Sequence, residues 1–272
     1  LPMHVIDGLI SPQGVALDNT RGRNRAYVAG DNWLHIVELS TTTPYVLATL
    51  EVGGGEDVGA YSVVYNPNTD LIYVTGYHDD SVTVVNAATL SVVRRMTGFH
   101  EPSYIAVNIV TNKVYVSNHT TGVPWGYVSV ISGTDKIGTV YLSGDLYGIS
   151  VDAVRNRIFV ASISVARVYV IDGRTDTTMG DIQIIRARDA RPVPLRQTAV
   201  NPSVMTDTHL WLTSSSGDLH GMDRLILLSL PQSDWPPVTP LVLRSVAVAA
   251  SPEGGLVFDP NPASWRVFAS SA

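Results

Sequence analysis

The chain is built from short hydrophobic runs rather than from long periodic ones. Runs rich in Val, Ile, Tyr and Thr are broken every six to ten residues by Gly, Pro, Asn or Asp. Such runs are typical of β-strands joined by tight turns, whereas the apolar spacing of an amphipathic helix is nearly absent. No apolar run reaches the roughly eighteen residues that a membrane-spanning helix needs. The pattern therefore predicts an all-β protein with no direct membrane span.

The predicted strands recur in a repeated unit. The first strand of each copy ends in Asp or Asn, and the six copies lie at 14–18, 62–66, 104–108, 148–152, 197–201 and 255–259. The second strand has an aromatic residue near its centre, at Tyr27, Tyr73, Tyr115, Phe159, Trp211 and Phe268. Third strands are predicted in five copies, at 34–37, 82–85, 127–131, 168–171 and 225–228. Fourth strands are predicted at 45–50, 92–96, 137–141, 181–184 and 241–247.

Four strands in a repeated unit of about 40–50 residues predict a β-propeller blade. Because one small twisted sheet with two apolar faces cannot bury both alone, neighbouring sheets are expected to stack and close a ring. The prediction is a single six-bladed propeller over residues 1–272. Its blades are expected at about 11–51, 59–97, 102–142, 145–185, 194–248, and 253–272 together with 1–10.

Ring closure is expected at the two ends of the sequence. Met3–Leu9 precedes the first copy as a fourth strand precedes each later one, so it is expected to pair with Trp265–Ser270 and remove a bare sheet edge. One strand of the last blade is then unaccounted for. Either that blade has three strands, or the chain is part of a longer one.

Several copies resemble the YVTN family of β-propeller proteins, which is related to surface-layer and NHL-type propellers. The resemblance rests on NPNTDLIYVT at 66–75, VTVVN at 82–86, VNIVTNKVYVSN at 107–118, and NRIFV at 156–160 with VID at 170–172. It covers roughly residues 12–185 and weakens in the fifth and sixth copies. The resemblance implies the propeller fold and is nearly silent on function, because these motifs are structural.

Composition narrows the possible functions. Charged residues make up 15% of the chain and the net charge is −6, which argues against a nucleic-acid binder and against a polybasic membrane anchor. The absence of cysteine excludes disulfides, thiolate catalysis, Fe–S clusters and Cys-ligated zinc. The chain starts at Leu1 without a signal-like segment, so an export signal is expected to have been removed or to belong elsewhere. A secreted, periplasmic or cell-surface location is the expectation.

The best place for a ligand is the end of the propeller where the segments entering the first strands meet the turns between the second and third strands. Equivalent loops from all blades converge there, at the mouth of the central channel. The candidate ligand-binding residues are Tyr61, His78, His100, Glu101, His119, Asp145, Tyr147, Arg196 and His220. Asp and Asn oxygens at this mouth would suit Ca²⁺ in the central channel, and imidazoles would suit Zn²⁺ or Cu²⁺, although no metal-binding spacing occurs.

The aromatic candidates have two interpretations. Tyr61 and Tyr147, with Tyr104 one position later in its copy, are expected to ring the channel. They either close the funnel by packing or stack on a sugar or another planar ligand. Arg196 follows the basic stretch 185–194, which is either an exposed loop or a cationic edge for an anionic ligand.

Other motifs are read as structural. The recurring Asp and Asn at the ends of the first strands are expected to cap tight turns. Asn118, His119 and Thr120 form an N-x-T sequon that is expected in a surface loop. No G-x-S-x-G nucleophile elbow occurs.

Three functions remain open. The first is a non-enzymatic extracytoplasmic module that binds, or acts as a scaffold for, a protein, a glycan or a cell-surface partner. The second is a lactonase-like six-bladed hydrolase that uses a cation at the channel mouth to polarise a carbonyl or activate water. The third, an electron-transfer or cofactor scaffold, has no cysteine or haem motif to support it.

Overall fold

A computed structural model describes residues 5–53, 59–120, 123–165 and 167–183. Beyond residue 183 it describes the backbone of six further strands, within 195–269. The chain forms two compact units, Leu1–Asn118 with Ser129–Gly138, and His119–Val128 with Thr139–Ala272.

The described secondary structure is entirely β. The strands of the first three repeats are β1 (Pro12–Asp18), β2 (Arg25–Gly30), β3 (Trp33–Glu38), β4 (Tyr45–Glu51), β5 (Ala60–Asn66), β6 (Leu71–Gly76), β7 (Ser81–Asn86), β8 (Ser91–Met96), β9 (Pro102–Asn108), β10 (Lys113–Asn118), β11 (Trp125–Ser132) and β12 (Asp135–Ser143). Those of the last three are β13 (Leu146–Asp152), β14 (Arg157–Ser162), β15 (Arg167–Asp172), β16 (Thr177–Gln183), β17 (Leu195–Val200), β18 (His209–Ser214), β19 (Asp223–Ser229), β20 (Leu241–Val248), β21 (Leu256–Phe258) and β22 (Val267–Ala269).

These strands form one sheet for each sequence repeat. Strands β1–β4, β5–β8, β9–β12, β13–β16 and β17–β20 each form a four-stranded meander, and β21 pairs with β22 in a two-stranded sheet. The pairings are antiparallel, as in β1 with β2 and β14 with β15. In the first unit β1 lies beside β5, and β5 lies beside β9, so the first strands of successive sheets are neighbours.

The core lies between the faces of successive sheets. In the first unit Tyr27, Leu34 and Ile36 of the first sheet pack with Val63 and Ile72 of the second. A second cluster of the same kind joins the second and third sheets and contains Tyr73, Val82, Val84, Ile105, Val114 and Val116. The second sheet therefore buries both faces, which explains why its central strands β6 and β7 are nearly continuous in hydrophobic residues.

The repeated aromatic residues occupy equivalent places on the second strands. Tyr27, Tyr73, Tyr115 and Phe159 are fully buried on β2, β6, β10 and β14. Trp211 and Phe268 fall on β18 and β22, and their side chains lie outside the described residues. In the four described copies, one large ring is placed at the centre of each sheet.

The recurring Asp and Asn cap turns, as the sequence predicts. The side chains of Asp18, Asn66 and Asn108 each accept a hydrogen bond of 3.0 Å from the backbone N–H two residues later. Asp152 accepts one of 3.0 Å from the N–H of Arg155. These are the local bonds by which Asp and Asn favour tight turns. Asn201 and Asp259 lie outside the described residues.

Two strand predictions need correction. The fourth strand of the fourth copy was expected at 181–184, whereas β16 starts at Thr177. Its first residues are polar and include Gly180, so the hydrophobic pattern misses them, but pairing of Thr177 with Asp172 on β15 holds them in the ladder. The segment expected as a closing strand, Met3–Leu9, is irregular over its described residues 5–9.

The start of the chain packs as an irregular segment on the first sheet. Ile6 and Leu9 pack against Ala26, Val28 and Val37. Their side chains therefore bury apolar surface without strand pairing. Of the expected closing partner at 265–270, only β22 is described, and it pairs with β21.

Candidate functional site

Within each unit, the segments that enter the first strands are bonded to the turns between second and third strands. The N–H of Ala60 donates to the carbonyl of Asp31, and the N–H of Phe99 donates to that of Asp80, at 2.5 and 3.4 Å. In the second unit, the N–H of Ile163 donates to the carbonyl of Asp145 at 3.0 Å. These bonds bring the two kinds of candidate loop together at one end of the sheets.

Four rings form an aromatic cluster at this end of the first unit, here called the tyrosine cluster: Tyr61, Tyr77, His78 and Tyr104. The hydroxyls of Tyr61 and Tyr104 are 3.1 Å apart and hydrogen-bonded, and their rings meet edge to face at 5.2 Å. Tyr77 lies 5.9 Å from the ring of Tyr61 and 5.0 Å from that of His78. The three tyrosines are half-buried and His78 is exposed, so the cluster presents polar-edged rings to solvent.

Gly59 allows the ring of His78 to lie close to the backbone. A Cβ atom on Gly59 would lie 2.5 Å from Cδ2 of His78, and the φ of Gly59 is +57°. The carbonyl of Gly59 also accepts a 3.0 Å bond from the N–H of Tyr77. Glycine is the residue that permits both the close approach and the left-handed backbone.

The next entry segment carries His100 and Glu101. The N–H of His100 donates to Oδ1 of Asn118 at 3.2 Å, and the N–H of Glu101 donates to Oδ1 of Asp80 at 2.7 Å. Glu101 has a φ of +43°. Backbone bonds therefore hold this turn in place, with His100 exposed and Glu101 half-buried.

In the second unit, the predicted residues His119 and Tyr147 are in contact. Their rings meet edge to face at 5.1 Å. Asp145, two residues before Tyr147, is half-buried, and its N–H donates to Oγ of Ser164 at 2.8 Å. Arg196 lies on β17 with its side chain outside the described part, and His220 lies outside the described residues altogether.

The described candidates do not assemble a metal site. Among the residues that the structure describes, no three His, Asp or Glu side chains are grouped closely enough to hold a metal ion. A Ca²⁺ site needs six to eight oxygen ligands, and a catalytic Zn²⁺ site needs about three protein ligands.

The sequon at Asn118 is structural, contrary to its expected place in a surface loop. Asn118 is the last residue of β10 and is fully buried. Its Nδ2 donates to the carbonyl of Val116 at 3.0 Å and to Oγ of Ser129 at 3.1 Å. The side-chain amide nitrogen to which a glycan would be attached therefore makes two hydrogen bonds within the folded protein.

Sequence reasoning missed a charged network at the opposite end of the first two sheets. Arg23 donates to Asp18 at 2.6 Å, to Asp70 at 3.1 Å through Nη1, and to the hydroxyl of Tyr65 at 2.8 Å. Tyr65 in turn donates to Asp70 at 2.9 Å. The network joins the first turn of one sheet to that of the next, and only the spacing of Asp18 and Arg23 could have signalled it.

The network sets the protonation of its carboxylates. The hydrogen bond from Arg23 is the main cause that lowers the pKa of Asp70. Burial alone would raise the pKa of Asp18, but hydrogen bonds from Thr20, Tyr27 and Arg23 outweigh it and lower the pKa. Both carboxylates are therefore held ionised. Their bonds to Arg23 connect the first sheet to the second.

No helix in the described part of the chain is long and apolar enough to cross a membrane.

Comparison with known proteins supports the fold. No protein-family model and no curated protein sequence matches the chain. Hydrazine synthase of Kuenenia stuttgartiensis matches with a TM-score of 0.71 and 14% identity, over 95% of this chain and 73% of that one. A protein from Lactobacillus plantarum matches with the same TM-score and identity, over 97% of this chain and 86% of that one. These structures are β-propellers, and at this identity the likeness supports the β-propeller fold and nothing about function.

Proposed function

We propose that the protein is a non-enzymatic binding module that recognises a protein, glycan or other cell-surface partner outside the cytoplasm. The observation that carries the proposal is the tyrosine cluster, which places three half-buried tyrosines and an exposed histidine at the end where blade loops meet. Tyrosine rings supply rigid contact area and a polar edge, which suits recognition of a partner surface. The described residues offer no grouped metal ligands for a hydrolytic centre.

The fold is proposed to be a six-bladed ring with repeats of the YVTN type. Closure of the ring would explain a difference between repeats. The equivalent positions Val15, Val63 and Ile105 have exposed fractions of 58%, 4% and 6%, so an apolar side chain of the first sheet lacks the cover that its equivalents have. Val63 and Ile105 are buried by the sheet that precedes theirs, whereas the described part of the first unit contains no sheet before β1. If the ring closes, the sheet of the sixth repeat would pack on this face and cover it.

The binding proposal is tested by changing the tyrosine cluster. We expect the Y61A and Y104F variants to weaken binding to the partner selected from an oligosaccharide array and a displayed peptide library, with Y61A at least tenfold weaker. The matched control is Y45A, because Tyr45 is an exposed tyrosine on β4, away from the cluster. Unchanged binding by Y61A would contradict the proposal, as would hydrolysis of lactones that a chelator abolishes.

A further inference from the structure

The third sheet has longer outer strands than its neighbours. Strand β11 has 8 residues, whereas β7 and β15, the third strands of the adjacent sheets, have 6. Aligned on their shared valine-rich cores, the two added residues are Trp125 and Gly126, at the start of β11. The fourth strand, β12, is also long, with 9 residues. The two adjacent sheets lack this extension.

The extension carries an exposed aromatic group, here called the aromatic corner: Trp125, Tyr127 and Tyr141. The rings of Trp125 and Tyr141 are 6.0 Å apart at an angle of 70°, and those of Tyr127 and Tyr141 are 6.1 Å apart at 53°. Trp125 is 47% exposed and Tyr141 is 69% exposed. Large aromatic side chains grouped on a surface mark an interaction site, because burying them on binding releases much apolar surface.

The backbone under the aromatic corner is held from both sides. The carbonyl of Trp125 accepts a hydrogen bond from Oγ1 of the buried Thr120, and the carbonyl of Pro124 accepts one of 2.9 Å from the N–H of Gly144. A Cβ atom on Gly126 would lie 2.7 Å from Cγ of Leu146, so the strand is packed tightly against the next entry segment. The ring of Trp125 is thus displayed on a fixed backbone, which lowers the ordering cost of binding.

The two strand segments that carry the aromatic corner are uncharged and rich in hydroxyl groups. Beside them, Arg167 and Asp181 line a pocket together with Ser143 and form an ion pair with each other at 2.6 Å. The segments 123–129 and 139–144 contain no Asp, Glu, Lys or Arg, and they include the exposed residues Thr139 and Ser143. A protein-binding hot spot is enriched in Arg beside its aromatic anchors. Uncharged strand segments with aromatic faces and hydroxyl groups, beside an Arg–Asp pair whose charges offset each other, instead match a neutral ligand that has C–H faces and many hydroxyls.

We propose that the aromatic corner is a binding site for a neutral polysaccharide. The C–H face of a pyranose ring stacks on Trp125, while Tyr141 bounds the same sugar at its side because the two rings stand at a steep angle. The indole N–H of Trp125 and the hydroxyl of Tyr141 have no hydrogen-bond partner within the described part of the chain, so both can bond sugar hydroxyls. This site is additional to the tyrosine cluster and agrees with the proposed binding function without depending on it.

The test is binding to immobilised glucan, mannan, galactan and chitin, with sulfated and uronic-acid polysaccharides as charged counterparts. We expect one or more neutral polymers to bind, W125A and Y141A each to weaken that binding at least tenfold, and W125F to retain it within about threefold because a ring remains. Y45A is the matched control, since Tyr45 has the same 47% exposure as Trp125 but lies on β4 of the first sheet. Melting temperatures are expected to stay unchanged, because the substituted side chains are exposed.

The outcomes separate this site from the tyrosine cluster. Loss of polysaccharide binding in W125A and Y141A but not in Y61A supports the aromatic corner. Loss in Y61A alone keeps the binding function and overturns the corner. The proposal is also overturned if none of the neutral polymers binds, if charged polymers bind more tightly, or if W125F binds as weakly as W125A.

Discussion

At the scale of single residues, the strongest polar contacts of the described chain have structural roles. Arg23 touches Asp18, whose side chain is fully buried, and Asp70, whose side chain is 15% exposed. Removing one partner of a buried pair leaves an uncompensated charge, which costs far more than breaking a solvated pair. The described chain contains both kinds of pair.

The first prediction compares these two kinds of pair. We expect R23M to lower the free energy of unfolding by about 3 kcal/mol, because Asp18 and Asp70 lose their cation. Arg94 and Asp135 form an exposed pair at 2.9 Å, so R94M is the control, with a cost under about 1 kcal/mol. Urea denaturation at neutral pH measures both. Equal costs for the two variants would show that the network is solvated and does not join the sheets.

The second prediction concerns His35, which is buried on β3. Its Nε2 accepts a 3.2 Å bond from the N–H of Ile10, which places the proton on Nδ1, where Oγ1 of Thr49 lies at 3.1 Å. Burial lowers the pKa of His35 from its ordinary value of 6.5. The unfolded chain therefore takes up the proton first, and the stability that neutral His35 contributes is present above pH 6.5 and lost as the pH falls towards the folded pKa.

The measurement is urea unfolding of the parent and of H35Q at pH 7.5 and pH 5.5. We expect the parent to lose more stability than H35Q between these two values. At lower pH both proteins should lose stability alike, because Asp18 and Asp70 have lowered pKa values and are protonated in both. An identical loss in parent and variant between pH 7.5 and 5.5 would remove His35 as the cause.

At the scale of elements, the buried ring at the centre of each sheet is the main packing feature. Phe159 is fully buried on β14. We expect F159A to lower the free energy of unfolding by roughly 3–5 kcal/mol, the range for truncating a buried aromatic side chain. F159L, which keeps most of the volume, should cost clearly less. A cost below about 1 kcal/mol for F159A would show that Phe159 does not fill the core of its sheet.

Element positions could be predicted well from the sequence because their signals are local. In the four described copies, the Asp or Asn that ends the first strand bonds its own turn, and the aromatic residue on the next strand is fully buried. β16 started earlier than predicted because ladder pairing with β15, and not hydrophobicity, holds Thr177. Ile6 and Leu9 were wrongly assigned to a strand, since an apolar alternation can equally serve an irregular segment that packs on a sheet.

The candidate site was less predictable than the strands. The contact of Tyr61 with Tyr104 joins residues 43 positions apart. The sequence repeats placed both residues at the channel mouth but did not predict that they touch. The burial of Asn118 and the exposed corner around Trp125 depend on how far β10 and β11 extend, which no residue pattern marked. To predict side-chain contacts between repeats, one must know the strand register within each sheet as well as the positions of the repeats.

At the scale of the whole molecule, the first face of the first sheet differs from the equivalent faces of the next sheets. Val15 and Leu17 are exposed there, whereas their equivalents Val63 and Tyr65 are buried between sheets. A repeat array leaves such a face at its end unless a cap or ring closure protects it. Under the proposed six-bladed ring, this face is covered in solution.

The last prediction uses the absence of cysteine, because any introduced thiol is unique in the chain. Single variants V15C, V63C and V93C place a thiol at the face in question, at a buried position and at an exposed one. If the ring closes, the thiol of V15C should react with a soluble maleimide as slowly as that of V63C, since a covered thiol reacts only when the structure opens. The V93C variant sets the fast rate for an exposed strand position, and unfolding in urea should bring all three to the same rate. A V15C thiol that reacts as fast as that of V93C, in a protein with unchanged melting temperature, would show that the first sheet ends at solvent and that the six repeats do not close into a ring.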